Sequence, residues 1–191
     1  MTRREAISTV ALITGGTIIG AEAFLTGCTS PAEPGYVGLL SENKHVAFMN
    51  EVAETILPTT ENSPGAKAAK VGEFMNVMVT ECYDQEEQQI FINGINQLKE
   101  ASQDQFQQDF LKLTPKQKHQ LLLKLEEEVK TYDETKTEEA PKVHYYQLMK
   151  QLTLVGFLTS EIGMTKAMRH VPVPGRFDPC IPYKPGEKAW S

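Results

Sequence analysis

Residues 114–129, TPKQKHQLLLKLEEEV, decide how the rest of the chain is read. Thr114 can cap a helix, and Pro115 suits its first position, where a backbone N–H has no intrahelical partner to lose. Gln117 can reach back to complete a capping box. Leu121, Leu122, Leu125 and Val129 then recur at spacings of three and four, which sets them on one helical face. Lys116, Lys118, Lys124 and Glu126 to Glu128 are left to the wet side. The spacing predicts an amphipathic helix.

The same period extends in both directions. Met49, Val52, Ala53 and Ile56 form a stripe over 44–57, stopped by Pro58. Val71, Phe74, Met75 and Met78 line another up to Cys82, after the punctuation of Pro64, Gly65 and Ala66. Phe91, Ile95 and Leu98 repeat the pattern over 86–102, and Asp104 with Gln107 is expected to cap a further short turn. Beyond the opening helix, TYDETKTEEAP (131–141) reads as a polar loop or a frayed helix end. Residues 142–163 are different, because Tyr145, Tyr146, Leu148, Met149, Leu152, Leu154, Val155, Phe157 and Leu158 leave little polar face. Such a helix is the centre of a bundle, or a partner surface as well. No alternating strand pattern or hairpin signal competes. The expected class is all-α: a single irregular helical bundle over 44–170.

After His170 the pattern stops. VPVPGRFDPCIPYKPGEKAWS (171–191) has prolines at 172, 174, 179, 182 and 185, which exclude a helix or central strand. Yet Val171, Val173, Phe177, Ile181, Tyr183 and Trp190 make it too apolar for a solvated tail. The expectation is an extended arm docked on its own domain or on another chain. Arg176, Phe177, Tyr183 and Trp190 are its candidate partner contacts.

The first residues read as a targeting segment. Arg3 and Arg4 precede a weakly apolar stretch from Ala6 to Phe24, glycine-containing and interrupted by Glu22. It is poorly suited to a permanent span, so 1–27 is expected to be a cleaved signal of the twin-arginine type, with an ordinary secretory signal as the alternative. Leu25-Thr26-Gly27-Cys28 looks like a bacterial lipobox, which makes Cys28 the expected lipid attachment site. More than one acyl chain anchors a protein stably. The expected location is the periplasmic face of a bacterial membrane, with Thr29 favouring the outer one. Residues 28–43, containing Pro31, Pro34, Gly35 and Gly38, read as a flexible tether.

Cleavage before Cys28 leaves enough chain for one domain with a real core. Arg3 and Arg4 balance Glu5 and Glu22, so the net charge of −6 is kept. An acidic chain without a basic, aromatic-laced patch argues against nucleic acid as a partner. Cys82 and Cys180 would meet an oxidising compartment. Bridging them would close a loop of roughly a hundred residues, worth about 4 to 5 kcal/mol in the chain-entropy model. Two buried thiols, or one cysteine bridged to a partner subunit, are the alternatives.

The search for chemistry is mostly negative. There is no G-x-G-x-x-G after a strand, no C-x-x-C and no C-x-x-C-H. His45, His119, His144 and His170 lack metal-pair spacing and read as surface or helix-end residues. Glu86-Glu87 and Glu126 to Glu128 are contiguous runs, whose members do not face one another on a helix. No catalytic, cofactor-binding or metal-binding residue is predicted in this chain.

Several segments nevertheless resemble one family. Ile56-Leu57-Pro58-Thr59-Thr60, then Ser63-Pro64-Gly65-Ala66-Lys67-Ala68-Ala69, Val71-Gly72-Glu73-Phe74 and GFLTSEIG (156–163) are similar to motifs of the gluconate 2-dehydrogenase subunit 3 family. The closing VPVPGRFDPCIPYKPGEKAW resembles the C-terminal signature of a lipoprotein branch. The turn Thr59–Asn62 departs from the family, which commonly has an aspartate right after the threonine. The resemblance implies a cofactor-free small subunit of a membrane-associated sugar or sugar-acid dehydrogenase. Its large partner would carry FAD and oxidise the substrate, with a cytochrome c or another acceptor taking the electrons. The small subunit would escort the folded flavoprotein through export and tether it. The alternative from the residues alone is a free-standing periplasmic lipoprotein that binds a small molecule or glycan between its helices.

Overall fold

The computed structural model describes residues 4, 38–41, 44–135, 137, 140–173, 175–176 and 180–190. The chain divides into two compact units, Met1–Val37 and Gly38–Ser191. The second is all-α. Its helices are α1 (His45–Ile56), α2 (Val71–Glu81), α3 (Gln85–Phe106), α4 (Pro115–Thr135) and α5 (Tyr145–Leu158), with a 3₁₀ turn at Phe110–Lys112 and a π turn at Gly163–Ala167. No strand occurs among the described residues, where a single isolated bridge joins Arg169 to Trp190.

The opening motif folds as its chemistry dictates. Gln117 Oε1 accepts from Thr114 N–H at 3.0 Å, and Thr114 Oγ1 accepts from Gln117 N–H at 3.4 Å. A second capping box starts α3: Asp84 Oδ1 accepts from Glu87 N–H at 2.8 Å, and Glu87 reaches back to Asp84 N–H. The far end of α3 corrects the sequence reading. Asp104 caps nothing, because the helix runs through it to Phe106 and Gln107 ends it in the left-handed region at φ 54°. The buried Ser102 hydroxyl then donates to Gln108 O at 2.7 Å and ties off the turn. The cap lies further on, where Asp109 accepts from Leu111 N–H at 2.8 Å to start the 3₁₀ turn.

Helix α5 is the centre of the bundle and touches each of the other four helices. Glycines set the close approaches between helices. A Cβ on Gly94 would stand 2.4 Å from Tyr145 Cβ, so α3 and α5 meet backbone to side chain. One on Gly156 would strike the Phe74 ring at 2.6 Å, and one on Gly72 would strike Val46 O at 2.5 Å. The core gathered around them holds Phe48, Met49, Val52, Met75, Phe91, Ile95, Leu98 and Met149, all essentially inaccessible to solvent. Burying a large apolar side chain stabilises by about 1.5 to 3 kcal/mol, so this cluster dominates the fold.

The packed unit begins earlier than the tether predicted over 28–43. Leu40 is fully buried, and its N–H donates to Asn76 Oδ1 at 2.8 Å. Leu39 N–H donates to Thr80 Oγ1 at 2.9 Å. Two polar side chains on α2 thus pair the backbone of the incoming segment, which lets an apolar residue there join the core.

Glu54 organises the turn after α1. Its carboxylate accepts from Thr59 N–H (2.9 Å), Thr59 Oγ1–H (2.8 Å) and Lys67 N–H (2.9 Å). Gly65 N–H donates in turn to Thr59 Oγ1 at 3.0 Å. A Cβ on Gly65 would meet that carboxylate at 2.3 Å and push it out of these bonds. The Pro-Thr and Pro-Gly-Ala signatures are therefore one hydrogen-bonded corner.

Candidate functional site

Two features stand out, a cleft on one side of the bundle and an apolar arm after it. The cleft encloses about 930 Å³ between α3 and α4. On α3 the period 3.6 puts Glu86, Gln89, Asn93 and Gln97 on the face opposite Phe91, Ile95 and Leu98. From α4 come Glu128, Thr131 and Tyr132. The strap 140–145 crosses between the two helices. Tyr132 Oη–H donates to Pro141 O at 2.8 Å, and Lys142 pairs with Glu86 at 3.1 Å. The strap is thus pinned on both sides.

His144 caps α5, its Nδ1 accepting from Tyr146 N–H at 3.2 Å. That bond requires the neutral ring with the proton on Nε2. Tyr145 stacks on the imidazole at 4.5 Å between centroids, and Tyr132 meets it edge-on at 5.1 Å. Burial holds the His144 pKa below the ordinary histidine value, against a smaller upward pull from Glu128. Burial likewise raises the Tyr145 phenol, and raises Tyr146 to about 12. Because the folded state favours neutral His144, it binds fewer protons than the unfolded chain as pH falls. Its contribution is complete above the ordinary histidine pKa near 6.5 and is lost as pH falls through the lowered folded value. Unfolding midpoints in urea should therefore drop between about pH 7.5 and pH 5. His144→Asn keeps a good cap and should flatten that part of the profile; an unchanged slope would refute the assignment.

The end of the arm meets Lys166 and Arg169. Arg169 N–H donates to Ala189 O at 2.8 Å, its guanidinium lies 4.0 Å from the Trp190 ring centroid, and it pairs with Glu187 at 3.4 Å. The Lys188 ammonium donates to Lys166 O. Several apolar side chains of the arm face water: Val173 is 82% and Tyr183 83% exposed, and Ile181 is exposed too. Leu154, Val155 and Leu158 on α5 are also exposed.

The residues singled out by sequence fall as follows. Arg176 and Tyr183 are exposed, and Trp190 is the clasp for Arg169. Arg3, Cys28 and Phe177 lie outside the described residues; Arg4 is exposed. Cys82 and Cys180 are exposed free thiols, so the pairing considered for them is not made in this structure. Cys82 ends α2, whereas the arm's contacts run to Lys166 and Arg169. Of the histidines, His45 is buried at the start of α1 rather than on the surface, and His144 belongs to the cleft. Sequence reading missed the amide row of the cleft. Its signal was present in Gln89, Asn93 and Gln97 at steps of four, but a polar helical face looks like any solvated one.

Among the described residues no His, Cys, Asp and Glu cluster could hold a metal ion, and no helix is long and apolar enough to cross a membrane. The family model described as gluconate 2-dehydrogenase subunit 3 matches residues 43–175, which is all five helices and both turns. This chain belongs to the gluconate 2-dehydrogenase subunit 3 family. No curated protein and no solved structure matches it significantly. The match stops at Gly175, so the likeness drawn for the closing stretch is carried only as far as VPVPG. The subunit 3 motifs are packing devices: the Glu54 corner, the Gly72 crossing and the Phe74–Gly156 contact. GFLTSEIG closes on Gly163, where a Cβ would stand 1.8 Å from Phe157 O. Membership in this family makes the chain a component of an oxidoreductase complex with a dehydrogenase partner.

Proposed function

We propose that this chain is the non-catalytic small subunit of a membrane-associated, flavin-dependent sugar or sugar-acid dehydrogenase. The observation that carries this reading is the family match over the entire helical domain. The flavin, FAD, belongs to the large partner, and a cytochrome c or similar acceptor takes its electrons. The subunit stabilises that partner, escorts it through the twin-arginine route on Arg3 and Arg4, and tethers it on the periplasmic face through lipid on Cys28. Exposed Val173, Ile181 and Tyr183 on the arm, with Leu154, Val155 and Leu158 on α5, supply apolar area for the contact. Residues of this kind become the buried core of an interface.

The escort role has a direct test. Replacing Arg3 and Arg4 together by lysine should leave both this subunit and the flavoprotein in the cytoplasm. Normal arrival of the flavoprotein in the periplasm would show that it travels by its own signal, and the escort role would fall. Cys28→Ala should release the complex from membranes in fractionation without unfolding it; unchanged retention would contradict lipidation.

A further inference from the structure

We propose that the cleft between α3 and α4 is a binding site for a compact, neutral, polyhydroxylated ligand, a mono- or disaccharide. Its volume of about 930 Å³ falls within the usual range of small-molecule sites, about 300 to 1,000 Å³. The strap 140–145 is fastened to α4 by Tyr132 and to α3 by Lys142. That crossing bounds the cleft, which suits a compact ligand rather than a chain running through.

The lining selects the chemistry. A sugar hydroxyl both donates and accepts, and so does a side-chain amide. Gln89, Asn93 and Gln97 present three of these in a row along α3, with Gln89 Nε2 already donating to Asn93 Oδ1 at 2.9 Å. That bond fixes the orientation of two members of the row before a ligand arrives. Across the cleft, His144 contributes Nε2–H as a donor, since Nδ1 is committed to the α5 cap. Glu128 contributes an acceptor-only carboxylate. Ile90, Val143 and the Tyr132, His144 and Tyr145 rings give apolar surface for the C–H faces of a sugar ring.

Charge disfavours the acidic alternatives. Glu86 pairs with Lys142 at 3.1 Å, and Glu128 adds a second carboxylate to the lining. A phosphate or sugar acid would enter against that charge. This site is separate from the exposed arm, and its occupation by the isolated chain needs no flavoprotein.

The test is a titration of the full chain, ¹⁵N-labelled, with glucose, N-acetylglucosamine and maltose, and with gluconate for comparison. At least one neutral sugar should give saturable shifts in the side-chain amide signals of Gln89, Asn93 and Gln97, and gluconate should bind more weakly. Asn93→Ala and Gln97→Ala, both at exposed positions, should each weaken binding about fivefold, as expected for one lost hydrogen bond, with an unchanged circular dichroism spectrum. The proposal is overturned if none of the three sugars gives saturable shifts. It is equally overturned if binding survives both substitutions undiminished, or if gluconate binds as tightly as the neutral sugars.

Discussion

Gly94→Ala should lower the free energy of unfolding by about 2 to 3 kcal/mol, although alanine is the better helix former. The added methyl would favour α3 by about 1 kcal/mol on propensity alone. Against that, its carbon would sit 2.4 Å from Tyr145 Cβ and 2.5 Å from Cγ. Those atoms are next to the backbone of α5, and Tyr145 is buried, so no rotamer change relieves the clash. The helices must part, loosening the contact of α5 with Phe91, Ile95 and Leu98. Overpacking of this kind costs about 1 to 3 kcal/mol and sometimes more. Urea unfolding of the two proteins measures the difference. A variant as stable as the parent would mean that α3 and α5 do not cross at Gly94.

Glu51→Ala should cost about 3 kcal/mol, for an electrostatic reason. Lys118 lies on α4 with only 10% of its side chain exposed, its ammonium 2.9 Å from Glu51 Oε2 and 5.5 Å from the Phe110 ring centroid. The other Glu51 oxygen accepts from Lys67. The Lys67 hydrogen bond is the chief cause that holds the Glu51 carboxyl below its ordinary pKa, and Lys118 adds to it against the cost of burial. Alanine would leave the Lys118 charge nearly buried without its counter-ion. Removing one partner of a buried pair costs about 3 to 5 kcal/mol, and the partial exposure of Glu51 sets the value at the low end. Lys118→Met, which removes the charge while keeping an apolar stem against Phe110, should cost much less. The reverse order would refute the pairing. The wild-type carboxylate also has a pH signature. Its contribution is present above the ordinary glutamate pKa and is lost as pH falls through the lowered folded value.

The fold was legible wherever one residue type has one dominant local use. Thr114-Pro115-Lys116-Gln117 specifies a helix start by hydrogen bonding alone, and the structure makes both bonds. The apolar run from Tyr145 read as the centre of a bundle or a partner surface as well, and α5 touches all four other helices while leaving Leu154, Val155 and Leu158 exposed. Reading failed where a residue has several uses. Asp104 is as capable a cap as Asp109, and Gln107 taking a positive φ, which ends α3 between them, is not favoured by its chemistry. Leu40 lies among residues of tether composition, and its burial depends on Asn76 arriving from α2 to pair its N–H. The cleft was hidden for a related reason. Gln89, Asn93 and Gln97 face a strap whose path depends on Tyr132 and Lys142 finding partners across it. The family motifs were visible because they are glycines and prolines at tight approaches, but such residues report how the domain packs and not what it binds.

The division of labour follows from that difference. A domain whose signature residues build corners and crossings is held fixed as a shape, as a subunit needs when its surface must match another chain. The exposed arm extends the shape beyond the bundle, clasped at its tip by Arg169 and Trp190.

The most direct test of the subunit assignment is recovery of this chain from detergent-solubilised native membranes, followed by absorbance spectroscopy and mass spectrometry of the purified material. The assignment predicts a complex in fixed stoichiometry with a dehydrogenase and the absorbance of bound flavin. Recovery of the chain only as a flavin-free monomer would contradict it.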